Sequence, residues 1–260
     1  MADATFAAAA ASTTRTQHSL IDAALLVAAL LAIWQALHWL AGDIAVTAPW
    51  PTLAHLADML GSPAFWPHAR ETLAAFAQAL ALSLVGGLVL GVALGGSRLA
   101  GEVAEPILVA IYSLPKITLY PVILLMFGLG MQAKVAFGVI HGIIPVTIFA
   151  MNAVRNVRPV FLRAGQAMRL SPWQRARHIL IPATIPEIVT GFRIGFALTM
   201  LGVLIGELFA SQRGLGFLLL KAMERNDVPT ILALAVLLFA FATVVSLWLL
   251  WLDKRLHRRV

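Results

Sequence analysis

The sequence predicts an all-α polytopic membrane protein, and three observations carry that prediction. The chain is 60% hydrophobic, with a mean hydropathy of +0.89. Only 12% of its residues are charged, about half of the ~25% usual in soluble domains. Apolar runs near the ~20 residues that cross a bilayer recur, at about 20–41, 70–96, 103–127, 134–152, 187–209 and 229–252. One such run would suit the buried helix of a soluble protein; six define a transmembrane domain over 20–252.

Residues 1–19 are rich in alanine with one arginine and read as a flexible cytoplasmic N-terminus. The first run, LIDAALLVAALLAIWQALHWLA, is longer than the apolar core of a cleaved signal peptide, so it reads as an uncleaved span. The stretch between the first two spans, rich in Pro and Trp, suits an interfacial segment on the outer side. Span two places Gly87, Gly91 and Gly95 on one helical face. Gly138/Gly142 and the pairs Gly191/Gly195 and Gly202/Gly206 repeat that spacing in spans four and five. Small residues so spaced let helices approach closely, within one chain or along a subunit seam.

Span three, EPILVAIYSLPKITLYPVILLMFGLG, is interrupted by Pro115 and Pro121, which must kink or break the helix. Lys116 lies inside it, and an intramembrane charge normally faces protein or water. Lys116, Tyr112, Tyr120 and Glu207, the last near the end of span five, are the candidate pathway residues. Two roles stay open for Lys116: attraction of an anionic solute, or neutralisation of Glu102 or Glu105. Two also stay open for Glu207: fixing a gate or the following loop, or pairing with Arg213. His141 in span four reads as a satisfied structural histidine.

Charge sets the orientation. Segment 153–186 holds Arg155, Arg158, Arg163, Arg169, Arg175 and Arg177 and no acid, whereas 42–67 has no Lys or Arg. The tail 253–260 is basic. The positive-inside rule then puts both termini and 153–186 in the cytoplasm. The loop 210–228 falls outside, although it carries Arg213, Lys221 and Arg225. A net charge of +7 split among such loops is explained by anionic lipid and does not indicate nucleic-acid binding.

Within 153–186, Ser171, Pro172 and Gln174 have the N-cap, N1 and N3 pattern of a capping box. A short amphipathic helix is expected from Pro172 to about Ile181, where Pro182 stops it. It would present Trp173, Arg175, Arg177 and His178 as a docking piece for a soluble partner, or lie on anionic lipid.

Catalysis finds little support. The chain has no cysteine, hence no disulfide or thiolate chemistry. It has no phosphate-cradling G-x-x-x-x-G-K-[ST] loop and no H-E-x-x-H zinc motif. No nucleophile–base pair is discernible within the spans, and no cofactor or metal is expected. A channel or ion-driven carrier stays in view as another class; it would transport without ATP or partners.

The stretch 168–193, MRLSPWQRARHILIPATIPEIVTGFR, resembles the cytoplasmic loop of binding-protein-dependent ABC importer permeases. The match rests on Ser171, Trp173, Gln174, Ile181-Pro182, Ala183, Pro186, Gly191 and Arg193. The family's Glu-Ala-Ala falls on Arg163, Ala164 and Gly165, and its glycine on Arg169, so the acid and the glycine are departures. The segments SLPKITLYPVILLMFGLGMQAKVAFG and GELFASQRGLGFLLLKAMERNDVPTILA resemble the nitrate, sulfonate and taurine branch. The resemblance covers roughly 65–255 and implies a type I importer permease of the bacterial inner membrane. It implies a permease pair, two cytoplasmic ATP-binding subunits and a periplasmic substrate-binding protein. Ser171, Trp173, Gln174, Arg175, Arg177 and Pro182 would couple to the ATPase. The solute would be a small anion such as nitrate, a sulfonate or taurine, with another small organic nutrient as the alternative.

Overall fold

The structure, a computed structural model, describes residues 2–257, without the side chains of residues 1–20 and a few later ones. Met1 and residues 258–260 fall outside what it describes. All regular structure among the described residues is helical. In chain order the α-helices are α1 (Ala2–Ala41), α2 (Pro49–Gly61), α3 (Phe65–Gly95), α4 (Arg98–Ser113), α5 (Tyr120–Phe127) and α6 (Met131–Arg155). They continue with α7 (Pro159–Ala167), α8 (Pro172–Arg175), α9 (Ile181–Ala210), α10 (Leu215–Glu224) and α11 (Val228–His257).

Among the described residues, five helical segments are long and apolar enough to cross a membrane, and α4 with α5 makes a sixth if that bent pair counts as one span. The bend is 84°. It falls where Leu114 and Pro115 leave helical geometry and Lys116–Leu119 forms a single 3₁₀ turn. Pro115 cannot donate to the ladder of α4 and biases Leu114 toward extended backbone. Pro121 does not kink a helix: it sits in the first turn of α5, where its missing N–H has no intrahelical partner to lose.

The core is a sandwich of α3, α6 and α9, with α6 in the middle. Its first cluster joins Phe76, Phe196, Met200, Val203 and Leu249, and Phe76 meets Phe196 edge to face at 5.0 Å. Glycines set the close approach. A Cβ on Gly91 would lie 2.6 Å from both the Thr147 carbonyl oxygen and Ala150 Cβ on α6. Gly138, Gly142, Gly202 and Gly206 make contacts of the same kind between α6 and α9, so the described small-residue faces pack within one chain. By contrast, none of the described side chains of α1 is buried, as suits a helix whose apolar surface meets lipid.

At one end of the bundle lie α2 and α10, and at the other α7 and α8. Helix α2 leans on α11, where His55 Nε2 is 2.9 Å from the Thr230 hydroxyl. Trp34 and His38 meet the carbonyls of Thr47 and Val46, turning the chain from α1 into α2.

A second expectation is overturned at the other end of the bundle. Pro182 does not stop the helix that begins after Ser171. Residues Trp173–Phe209 form one 37-residue apolar helical run. A π turn over Ala176–Leu180, with Ile181 N–H donating to the Ala176 carbonyl, shifts the ladder by one residue ahead of the proline. Pro182 then falls in the first turn of α9, a position that tolerates a missing N–H. The Thr184 hydroxyl donates to the carbonyls of Leu180 and Ile181, at 2.9 and 3.2 Å. Pro186 also lies inside α9 without ending it.

Candidate functional site

Two polar constructions stand out, one at each end of the bundle. At the α7/α8 end the chain reverses between two helices with little slack. Helix α7 closes with the Arg169 N–H on the Gln166 carbonyl (2.9 Å) and the Leu170 N–H on the Gly165 carbonyl (3.0 Å). That pair is a Schellman motif, which requires a left-handed residue after the cap. Arg169 fills it with φ +52°. The family's glycine falls at this position, and glycine adopts that conformation without Cβ strain. The departure at Arg169 therefore keeps the turn and stores strain of about 1 kcal/mol.

Two residues on, the capping box is complete. Ser171 N–H donates to Gln174 Oε1 at 2.9 Å, and Gln174 N–H donates to Ser171 Oγ at 3.3 Å. Trp173 is left 70% exposed. Arg177 and His178 are also exposed. Arg175 instead folds back, half-buried, toward α7. A Cβ on Gly165 would lie 2.6 Å from Ile179 Cδ1 and 3.3 Å from Arg175 Cγ, both movable side-chain atoms, so α7 lies close against this segment. Between α7 and the start of α9 runs an apolar groove of about 400 Å³, lined by Phe161, Met168, Ile179 and Pro182 among others.

The four candidate pathway residues do not converge on one site. Lys116 is half-buried at the bend, where it donates to the Tyr112 carbonyl at 2.9 Å and sits 4.9 Å from the centre of the Tyr112 ring. Neither suggested acid neutralises it: Glu102 pairs with Arg98 at 2.9 Å, and Glu105 with Arg155 at 2.7 Å. Tyr120 turns the other way, donating to the Phe209 carbonyl and stacking on Phe137, which fastens α5 to the end of α9. His141 is satisfied by the Phe137 carbonyl, with its Nδ1 2.7 Å away.

Glu207 belongs to a cluster that hydropathy does not reveal. It is fully buried, and so is Lys134. Lys134 Nζ is 2.9 Å from Glu71 Oε1 and 3.9 Å from Glu207 Oε1. The Thr72 hydroxyl lies 2.8 Å from each Glu207 oxygen. Arg213, the other partner considered for Glu207, contributes its backbone instead, as an acceptor for Lys134 Nζ at 2.9 Å. Lys134, Glu71, Thr72 and His68 were missed in the sequence because each stands near the start of an apolar run, where a charge looks solvated. The available signal was three ionisable residues at one end of the bundle: Glu71 and Lys134 near the starts of the parallel helices α3 and α6, and Glu207 near the end of the antiparallel α9.

A helical bundle of long apolar segments, with one bent span and a capped helical excursion at one end, is the architecture of a polytopic membrane permease. Residues 83–258 match the family described as "Binding-protein-dependent transport system inner membrane component", and the chain belongs to that family. A "Probable ABC transporter permease protein" of Haemophilus influenzae is 28% identical over 239 residues, 92% of this chain and 96% of the relative. The "Taurine transport system permease protein TauC" of Escherichia coli is 28% identical over 237 residues, 88% of this chain and 86% of the relative. Among solved structures, the MetNI methionine ABC transporter in inward-facing conformations has a chain that superposes with a TM-score of 0.61 at 19% identity. The match covers 75% of this chain and 98% of that one, a likeness of fold. The protein is thus a transmembrane permease subunit of an ABC importer, located in the inner membrane.

Proposed function

We propose that this permease works as a pair of identical subunits with two cytoplasmic ATP-binding subunits and a periplasmic binding protein, and that it imports a small anion. Both termini and the α7/α8 end face the cytoplasm; α2 and α10 face outward. The observation that carries the coupling assignment is the capped, exposed Trp173 at the foot of one continuous helical run. Ser171 and Gln174 fix the entry of that run, Trp173 and Arg177 meet the ATPase, and Arg175 and Pro182 shape the surface beside them. The arginine excess of 153–186 supports the orientation.

The solute class is supported by the taurine relative and by Lys116, whose ammonium finds no carboxylate partner among the described residues beside the break in a span. Broken backbone at membrane depth is tolerated where it lines a cavity. Tyr112 holds Lys116 at the break, Tyr120 fixes the next helix, and Glu207 fixes the outer loop.

Orientation is tested by single cysteines in this cysteine-free chain. An impermeant maleimide added to intact cells should label a cysteine at Ser62 and leave one at Ser171 untouched. Equal labelling from outside at both positions would refute the orientation. For the solute, Lys116→Met in reconstituted vesicles should raise the apparent KM for the anion by roughly tenfold. That is about what one charge-assisted hydrogen bond of 1.5–3 kcal/mol supplies. Assembly with the ATPase should be unchanged. An unaltered KM would return Lys116 to a structural role.

A further inference from the structure

Four consecutive residues after α9 are each held by a side chain from a different place in the bundle. The Arg213 carbonyl accepts from Lys134 of α6 at 2.9 Å, and the Gly214 N–H donates to His68 Nδ1 of α3 at 3.1 Å. The Leu215 N–H donates to the Thr72 hydroxyl of α3 at 2.8 Å, and the Gly216 N–H to Glu207 Oε2 of α9 at 2.9 Å. Gly214 has φ +131°, and a Cβ there would run into the Glu207 carboxylate. The loop is therefore locked against the ends of all three core helices. What it carries is exposed: Gln212 and Arg213 stand in solvent and, with Ser211, Glu71, Leu129 and Gly130, line a polar pocket of about 290 Å³.

Thermodynamics makes this a costly way to close a loop. Lys134 and Glu207 are withdrawn from water, and a buried ion pair is usually no more stabilising than apolar residues of the same volume. The best-attested use of such a pair is to fix register. Here the register is set between the loop and α9, the last part of a helical run that continues from the capping box through the π turn to Glu207. A helix of 37 residues at 1.5 Å per residue spans roughly 55 Å.

We infer that Lys134 and Glu207 are positioning residues of the outer mouth. Through the 213–216 clamp they bind the pocket-lining loop to α9, so that displacement of α9 at its coupling end moves Gln212 and Arg213. Glu71, the one partly exposed member of the ion cluster at 29% of its side chain, completes the charge around Lys134 on the pocket side. This role rests on the importer reading above.

The test uses the full complex of permease, ATPase and binding protein in vesicles, with Gln212→Cys as the only cysteine in the permease. The rate of labelling by an impermeant maleimide is compared without nucleotide and with ATP plus vanadate, and ATP-driven uptake is measured alongside. With the clamp intact, the two labelling rates should differ. In Lys134→Met and Glu207→Gln the difference should vanish, and maximal uptake should fall with little change in KM. Lys134→Arg should restore part of both. Thr72→Val removes one backbone tether and leaves both charges in place; it should reduce the difference in a chain that still assembles, which covers the case in which Lys134→Met does not fold. A full, unchanged difference in Lys134→Met or Thr72→Val would overturn the clamp. ATP-driven uptake without any difference in the intact protein would also overturn it and leave the importer reading standing. Absence of ATP-driven uptake in the intact complex would remove the importer reading itself and the clamp with it.

Discussion

Replacing Trp173 with alanine should detach the ATPase, or break the link between ATP hydrolysis and uptake, while leaving the membrane helices inserted. The ring is 70% exposed and lies beyond the apolar core of the bundle, so its loss costs the permease little packing. Buried at an interface, a tryptophan anchor is worth about 2–4 kcal/mol, which is roughly 30-fold or more in affinity. Arg177 is exposed, and an exposed ion pair adds only about 0–1 kcal/mol, so Trp173 should dominate. Ser171→Ala removes the acceptor for Gln174 N–H and should produce a milder version, since a lost N-cap costs about 1 kcal/mol. Copurification of the ATPase with each variant reads both effects. If the segment merely rests on lipid, Trp173→Ala will retain the ATPase fully and uptake will be that of the wild type.

The second large effect is expected at Gly91. A leucine there has no room: the nearest obstacles include the Thr147 carbonyl oxygen at 2.6 Å and the Met151 backbone nitrogen at 3.0 Å from its first side-chain carbon. Backbone atoms of α6 cannot rotate aside, so α3 and α6 must separate. Overpacking costs typically about 1–3 kcal/mol and more when the backbone blocks relief. A cost of about 3 kcal/mol would lower the thermal midpoint in detergent by roughly 6–12 °C. Gly61→Ala is the matched control, since nothing lies within 4 Å of the added carbon, and it should shift the midpoint little. A wild-type midpoint for Gly91→Leu would contradict the packing of α3 on α6.

These two sites differ in how far the sequence discloses them. The apolar runs announce the helices because lipid demands internally satisfied backbone and an apolar surface, a property each segment carries alone. The break near Pro115 is equally local. The capping box at Ser171 and Gln174 is local too, and its reciprocal bonds form as the spacing predicts. Pro182 misleads because a proline forbids only one backbone bond; the π turn over Ala176–Leu180 moves the register so that no donor is needed there. That accommodation depends on the turn before the proline and is invisible in the proline itself. The clamp around Lys134 fails to appear for another reason. Its members are 63 and 79 residues apart along the chain in the two Lys134 hydrogen bonds, and only tertiary packing turns three helix-end charges into one buried network. Arg169 lies between these cases: its place in the loop is legible as a departure from glycine, and its φ of +52° shows why glycine suits that position.

ATP-dependent solute uptake by the reconstituted complex separates an importer subunit from a carrier or channel. Vesicles containing this chain and its ATPase, with binding protein on the outer side and ATP on the cytoplasmic side, are offered taurine, nitrate and a short sulfonate in turn. At least one of these anions should accumulate only when ATP, ATPase and binding protein are all present, and collapse of ion gradients should not slow it. Uptake at an equal rate by the chain alone, or uptake that follows an ion gradient and ignores ATP, would mean that the protein is not the permease of an ATP-driven importer.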